Sequence, residues 1–420
     1  MKNFKHYSLS TLLVLSPLFL KAENNTSLKI LPYAFSTEAT GVAGGVAVIQ
    51  KSLLQPQTTF IATAFGGLSE DVIVQGTEQE DRFSGGFFSF SQYKLPFSNR
   101  LYFSIMGLQT HFPKDKYYFD GSNDSNQEAV LDTPTDSQVL NASIKYVLPM
   151  GEGLNNPDNT YTLSNGFVQN RENYGNSTPF VTGMTTLSLK AFYQKDTFDN
   201  ASKNHIQEWT TNGLRFALTH DNTDFDLNPS RGYHFNLQYS SDYGQGDSTQ
   251  SWDFIEFKYN HYIPLSTFSF SQQNVLAMSL WTGYSPSWDN EKDIYPNISA
   301  NRPPLWEGAR LGGMFKMRGY DTNRFSDKAS FYATAEYRTI LNYNPLKDNT
   351  YLPVEWFQVV AFVEAGRVND AYNADLLTDM KYDVGLSLRA MVSELPIRFD
   401  VAYSEEGTNM WVMINQPFDF

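Results

Sequence analysis

The chain has 420 residues, no cysteine, a formal charge of −14 and 15% aromatic residues, with a mean hydropathy of −0.40. That length admits two or three soluble domains, and the missing cysteines exclude a disulfide scaffold. The acidic balance, with no basic run or stacking platform, excludes nucleic acid as a partner.

At the N-terminus, Lys2, Lys5 and His6 precede an apolar run over residues 11–20 that ends at Lys21-Ala22-Glu23. This is the layout of a secretory signal peptide, assigned to residues 1–22. No later run reaches the ~18 to 20 apolar residues that a membrane-spanning helix requires. Helical insertion is thereby excluded.

From residue 28 to residue 420 the pattern has period two, in segments separated by turn signals. Strands are expected near 28–36, 41–50, 58–67, 82–93, 100–110, 138–148, 183–195, 210–221, 231–241, 251–263, 266–282, 328–341, 355–365, 381–391, 396–404 and 410–420. The even total, sixteen by this reading, is that of a closed antiparallel barrel in an outer membrane. Short turns with Leu95-Pro96, Ile263-Pro264 and Leu395-Pro396 trade places with long polar stretches at 111–137 and 283–327. Short turns on one rim and long loops on the other are expected of such a barrel.

The faces agree. Ile397, Phe399, Val401 and Tyr403 alternate with Arg398, Asp400, Ala402 and Ser404, while Tyr382, Val384, Leu386 and Leu388 alternate with Asp383, Gly385, Ser387 and Arg389. Apolar residues then face lipid and polar residues the lumen, which accounts for the low hydropathy. A secreted solenoid or sandwich is the competing all-β fold, but its strands seldom carry so many inward charges. The expected architecture is therefore all-β: a transmembrane antiparallel β-barrel of about 16 strands over residues 28–420. The Gly-rich stretch 312–320, with Arg318 inside it, runs directly into the strand at 328–341 and suggests one long inward-folded loop.

Four segments in order resemble the barrel of the bacterial surface-antigen (BamA-like) superfamily of outer-membrane insertases and transporters. They are Asp221-Asn222 with Pro229-Ser230-Arg231-Gly232, then Met317-Arg318-Gly319-Tyr320, then Phe362-Val363-Glu364-Ala365-Gly366, and finally the terminal Phe418 and Phe420. Glu364 stands where the family pattern has aspartate. The resemblance implies that Arg318, Gly319 and Tyr320 form the tip of a loop folded into the lumen. It also implies that Phe362, Glu364 and Gly366 anchor that tip, and that Phe418 and Phe420 form the signal read by the barrel-assembly machinery. Family insertases carry POTRA domains before the barrel, and strands that begin just after residue 22 leave no room for one.

Under this resemblance Arg318 meets Glu364 as a shielded ion pair. Without it, Arg318 reads as an ordinary exposed loop arginine. Glu336, Arg338, Arg389, Arg398 and Asp400 are candidate lumen neighbours or solvated wall charges. Pro32 and Pro417 are expected in the first and last strands, where each removes a donor and weakens the seam, or simply marks a strand end.

The six histidines show no metal-ligand spacing and there is no G-x-S-x-G elbow, so no enzyme, metal or cofactor is expected. His220 beside Asp221 and the inward His234 are the only ones of note. The expected function is the movement or insertion of a polypeptide or lipid at the outer membrane. Outer-membrane lipid, the assembly machinery and a periplasmic partner protein are the expected partners. The alternative is a passive pore or structural surface antigen.

Overall fold

In a computed structural model the described residues are 28–420, apart from 38–39, 75, 160, 172–173, 176–180, 199–206, 296–297, 348, 350–353, 393–394, 415 and 419–420. The expected signal peptide, residues 1–22, and Phe420 lie outside them. One antiparallel sheet of sixteen strands forms the body. Its first half comprises β1 (Leu28–Thr37), β2 (Gly41–Lys51), β3 (Thr59–Val74), β4 (Thr77–Lys94), β5 (Leu101–Tyr117), β6 (Leu131–Val147), β7 (Met184–Phe198) and β8 (Glu208–Asp221). The second half comprises β9 (Gly232–Asp242), β10 (Trp252–Leu265), β11 (Ser271–Tyr284), β12 (Ala329–Leu341), β13 (Val354–Asn369), β14 (Lys381–Val392), β15 (Leu395–Ser404) and β16 (Gly407–Ile414).

Each strand pairs with its neighbours in chain order, and the sheet curls until β1 lies beside β16. No ladder joins those two among the described residues. Alternation sets the faces: Tyr382, Val384, Leu386 and Leu388 of β14 are exposed outward, while Asp383, Ser387 and Arg389 are buried inside. An outward apolar band and an inward polar face suit a sheet with lipid outside.

Three expectations change. The polar stretch 111–137 is mostly sheet, because β5 and β6 stay paired as far as Tyr117 and Leu131, leaving a loop at 118–130. The ladder is held by backbone hydrogen bonds, so it outlasts the apolar alternation, and its inner face is covered at Tyr117, Thr133 and Thr135. The last strand stops at Ile414 instead of reaching residue 420. Pro417 therefore lies past the ladder and removes no donor from it, whereas Pro32 sits within β1 opposite Val46.

Third, the rim with both chain ends is not made of short turns throughout. It carries the connection 148–183, which holds a hairpin of Thr162–Ser164 and Phe167–Gln169. The Asn165-Gly166 turn has φ of 50° and 74° at its two residues. That is the left-handed pair which two-residue hairpins favour.

Glycines inside the strands have a packing role. Tyr33, Phe65, Phe88, Phe192 and Phe362 stand directly opposite Gly45, Gly85, Gly107, Gly213 and Gly385 on the neighbouring strand. In each case an added Cβ would fall within 2.8 Å of the aromatic ring. A ring laid over a cross-strand glycine fills the missing side-chain volume and lets the sheet curl.

At Gly213 a Cβ would also stand 1.9 Å from the Ser241 carbonyl oxygen. Gly213→Ala is expected to lower barrel stability by about 1–3 kcal/mol through overpacking. Urea unfolding followed by the gel shift of the folded barrel measures it. Gly66→Ala, where an added Cβ meets nothing nearer than 3.6 Å, is the control.

Candidate functional site

Between β11 and β12, residues 307–326 fold into the barrel. A two-residue ladder, Arg310–Leu311 with Phe325–Ser326, closes the base of the inner lobe. Gly312 and Gly313 both have φ of 107°, a region closed to side-chain-bearing residues. Leu311, Met317, Tyr320 and Phe325 then pack with Trp252, Phe254, Trp281 and Tyr332 from the wall in one buried cluster. At this level the loop packs directly against the wall formed by β7 and β10–β13.

Arg318 lies at the tip and is 0% exposed. Its backbone N–H and Nε donate to the two oxygens of Glu364, at 2.5 and 3.1 Å. Nη2 donates to Glu336 Oε1 at 2.9 Å and Nη1 to Asp400 Oδ2 at 3.4 Å. The guanidinium carbon stands 3.4 Å from the centroid of the Phe362 ring, a cation–π contact shielded from water. Three carboxylates from three strands thus converge on one fork.

The partners are themselves held. Tyr332 Oη donates to Glu364 Oε1 at 2.6 Å. Glu336 accepts from Arg338 Nε at 2.8 Å and Arg389 Nη2 at 2.9 Å, and Asp400 pairs with Arg398. The network therefore sets four arginines against Glu336, Glu364 and Asp400. A charge this far from water persists only when paired and hydrogen-bonded.

The neighbours of Arg318 fix the backbone. Trp411 Nε1 donates to the Arg318 carbonyl at 2.8 Å, Ser404 Oγ to the Gly319 carbonyl at 2.7 Å, and Gly319 N to Asp383 Oδ2 at 3.2 Å. A Cβ on Gly319 would stand 2.6 Å from Asp383 Cβ and 2.9 Å from Ser404 Cβ, so only glycine lets the loop lie against the wall. Tyr320 Oη donates to the Tyr382 carbonyl at 3.2 Å. A Cβ on Gly366 would sit 2.8 Å from Leu311 Cδ1 and 3.2 Å from Met317 Sδ, so this glycine makes room for the loop.

Other anchors carry no motif. Glu307 pairs with Arg215 of β8 at 2.8 Å, Asp321 with Lys116 of β5 at 3.0 Å, and Arg324 with Glu406 beside β16 at 2.7 Å. The loop thus spans from the β5–β8 wall to the β12–β16 wall. These pairs join residues 82 to 205 positions apart. Nothing in a single sequence marks them as partners.

Phe418 is also placed differently from a strand residue. It is buried against Tyr262, Val275 and Ala277 inside the barrel, with Arg338 over its ring at 4.9 Å and Lys258 Nζ donating to its carbonyl at 3.1 Å. It does not share a lipid-facing strand with Ile414 and Val412. His220 donates to or accepts from Thr185 Oγ1 at 2.9 Å. Among the described residues no group of three or more His, Cys, Asp or Glu side chains is arranged to hold a metal.

Removing one member of a buried ion network leaves its partners uncompensated. Arg318→Ala is expected to destabilise the barrel by roughly 3–5 kcal/mol, with Glu364 stranded. Arg318→Lys recovers little of this, because an ammonium cannot address three carboxylates and an aromatic face as a planar fork does. Denaturant midpoints of the two variants and of Glu364→Gln provide the check.

Residues 80–420 match the Omp85 superfamily domain. No curated protein matches the chain. Among solved structures, the chain resembles BamA from Haemophilus ducreyi lacking POTRA domains 1–3 with a TM-score of 0.54 at 10% identity, over 95% of this chain and 74% of that one. It resembles CdiB from Acinetobacter baumannii with a TM-score of 0.52 at 12% identity, over 92% of this chain and 59% of that one. CdiB from Escherichia coli gives a TM-score of 0.55 at 10% identity, over 94% and 62%. The chain therefore spans less than two thirds of either CdiB. Sixteen up-and-down strands, the inward loop and the domain match together make this chain a member of the Omp85 superfamily of outer-membrane β-barrels, a family of insertases and transporters.

Proposed function

We propose that this barrel moves or inserts a polypeptide or lipid at the outer membrane by way of its wall and not through an open axial channel. The seating of Arg318 among Glu364, Glu336 and Asp400 carries this reading. A passive pore needs a continuous aqueous path, and here the loop packs an apolar cluster and a closed charge network across the lumen. An exposed loop serving only as a surface antigen has no need of a fully buried arginine.

The seam supplies the route. β1 pairs with β2 and β16 with β15, but no ladder joins β1 to β16 among the described residues, and Pro32 has no N–H to offer the neighbouring edge. An unpaired edge is a template for an incoming strand. We assign the seam this role, with outer-membrane lipid beside it and a periplasmic partner delivering the client. Phe418 and Phe420 retain the proposed role of an assembly signal in the unfolded precursor, before Phe418 is buried.

Two experiments test the reading. Depletion of the protein is expected to change the abundance of specific outer-membrane proteins or lipids, whereas a passive pore would change solute permeability alone. Cysteine pairs scanned along β1 and β16, in a chain that has no cysteine of its own, are expected to abolish activity when oxidised and to release it on reduction. Full activity with the seam locked would remove the wall route.

A further inference from the structure

The connection 148–183 begins and ends beside β6 and β7, yet its hairpin reaches the far wall. Leu163, Phe167 and Val168 pack, half-buried, against Phe225, Ile340, Trp356 and Met391. Trp356 of β13 donates from Nε1 to the Gly166 carbonyl at 3.1 Å. A Cβ on Gly166 would stand 2.7 Å from that nitrogen, so the turn sits hard against the indole. Since β13 is seven strands from β6 in a sheet of sixteen, the connection crosses the mouth.

The two ends of the crossing are held in different ways. Near its origin it is tied by charge and backbone. Lys94 pairs with Asp158 at 2.9 Å, Tyr102 Oη donates to Asp158 at 2.6 Å, and Arg100 donates to the carbonyls of Gly153 and Leu154 at 2.5 and 3.0 Å. Burial works to raise the Asp158 carboxyl, but the hydrogen bonds from Lys94 and Tyr102 outweigh it and hold the group below the usual carboxylate range.

Arg171 fixes the middle. It stacks on Tyr161 and Tyr174, both at 4.7 Å, and donates to the Asp224 carbonyl at 3.4 Å. Asn222 accepts from Gly175 N at 3.2 Å and Thr182 Oγ1 at 2.9 Å. The tip has a different character: three half-buried apolar side chains and one hydrogen bond to an indole. Strands of three residues are too short to hold a hairpin unless it is docked.

We propose that residues 148–159 and 161–171 form a gate over the periplasmic mouth, hinged at the Lys94, Arg100 and Arg171 attachments and released at the Thr162–Gln169 tip. The turn 222–231 is the hub on which it closes. Tyr161 Oη donates to Asp226 Oδ1 at 3.2 Å, and Gln416 of the inward tail donates to the Asp226 carbonyl at 2.6 Å. Hairpin, turn and tail therefore close the mouth together. Release of the tip uncovers an apolar recess around Trp356. This gate stands apart from the wall route, because it concerns access to the lumen and is read without any client.

The test uses Ile340→Cys, a position 1% exposed beneath the hairpin, as the sole cysteine of the full chain in lipid nanodiscs. Labelling with a membrane-impermeant maleimide is followed over time. In the otherwise native chain the cysteine is expected to label slowly but to completion, as the tip opens and recloses. Replacing residues 162–169 with a Gly-Ser linker is expected to speed labelling several-fold. Leu163→Asp with Val168→Asp is the second variant, should the replacement prevent folding, and the gel shift of the folded barrel identifies folded material. Equal rates with and without the hairpin contacts overturn the closure. A native chain that never labels overturns the gate and leaves a fixed plug.

Discussion

A guanidinium shielded from water on every side must find its counter-charges within the protein, and the fold of this chain is arranged around that requirement at Arg318. Glu364 comes from β13, Glu336 from β12 and Asp400 from β15, so the arginine can be satisfied only when these strands are in register and the loop is inside. The constraint runs both ways. Without the loop, Glu364 loses its only arginine partner among the described residues, whereas Glu336 keeps Arg338 and Arg389, and Asp400 keeps Arg398. The lock thus couples loop position to the geometry of the C-terminal strands, including β16 through Trp411.

That coupling links the interior to the seam. Trp411 of β16 donates to the Arg318 carbonyl, and among the described residues β16 has no ladder to β1 on its outer edge. The loop tip and the seam edge are thus joined by contact through one strand. Arg338 extends the network toward the opposite rim, where it stacks on Phe418 of the inward tail. Protein enters the lumen from both ends, residues 307–326 from one rim and the tail with turn 222–231 from the other.

Much of this was legible in the sequence because strand alternation has the shortest period in protein structure and is read locally. The sixteen strands match the alternation in number and order, although several run past the expected bounds and the last stops at Ile414, and the inward charges at Glu336, Arg338, Arg389, Arg398 and Asp400 follow from parity. The Arg318 to Glu364 pairing came from the resemblance, since no local rule joins residues 46 positions apart. The longer acid at 364 reaches both the backbone N–H and the Nε of Arg318. What escaped was non-local or too short for periodicity. The hairpin at 162–169 has three-residue strands, and its one sequence signal, Asn165-Gly166, stands alone within a polar connection. Phe418 followed the alternation of β16 on paper, but the strand ends at Ile414 and the tail turns inward to reach Tyr262.

Single-channel recording in planar bilayers tests most directly whether the Arg318 lock closes the barrel. The native chain is expected to remain near baseline, and Arg318→Ala in folded, reconstituted protein is expected to produce large, fluctuating openings as the loop leaves its seat. A native chain with a steady open conductance, or an Arg318→Ala barrel as silent as the native one, would contradict the account.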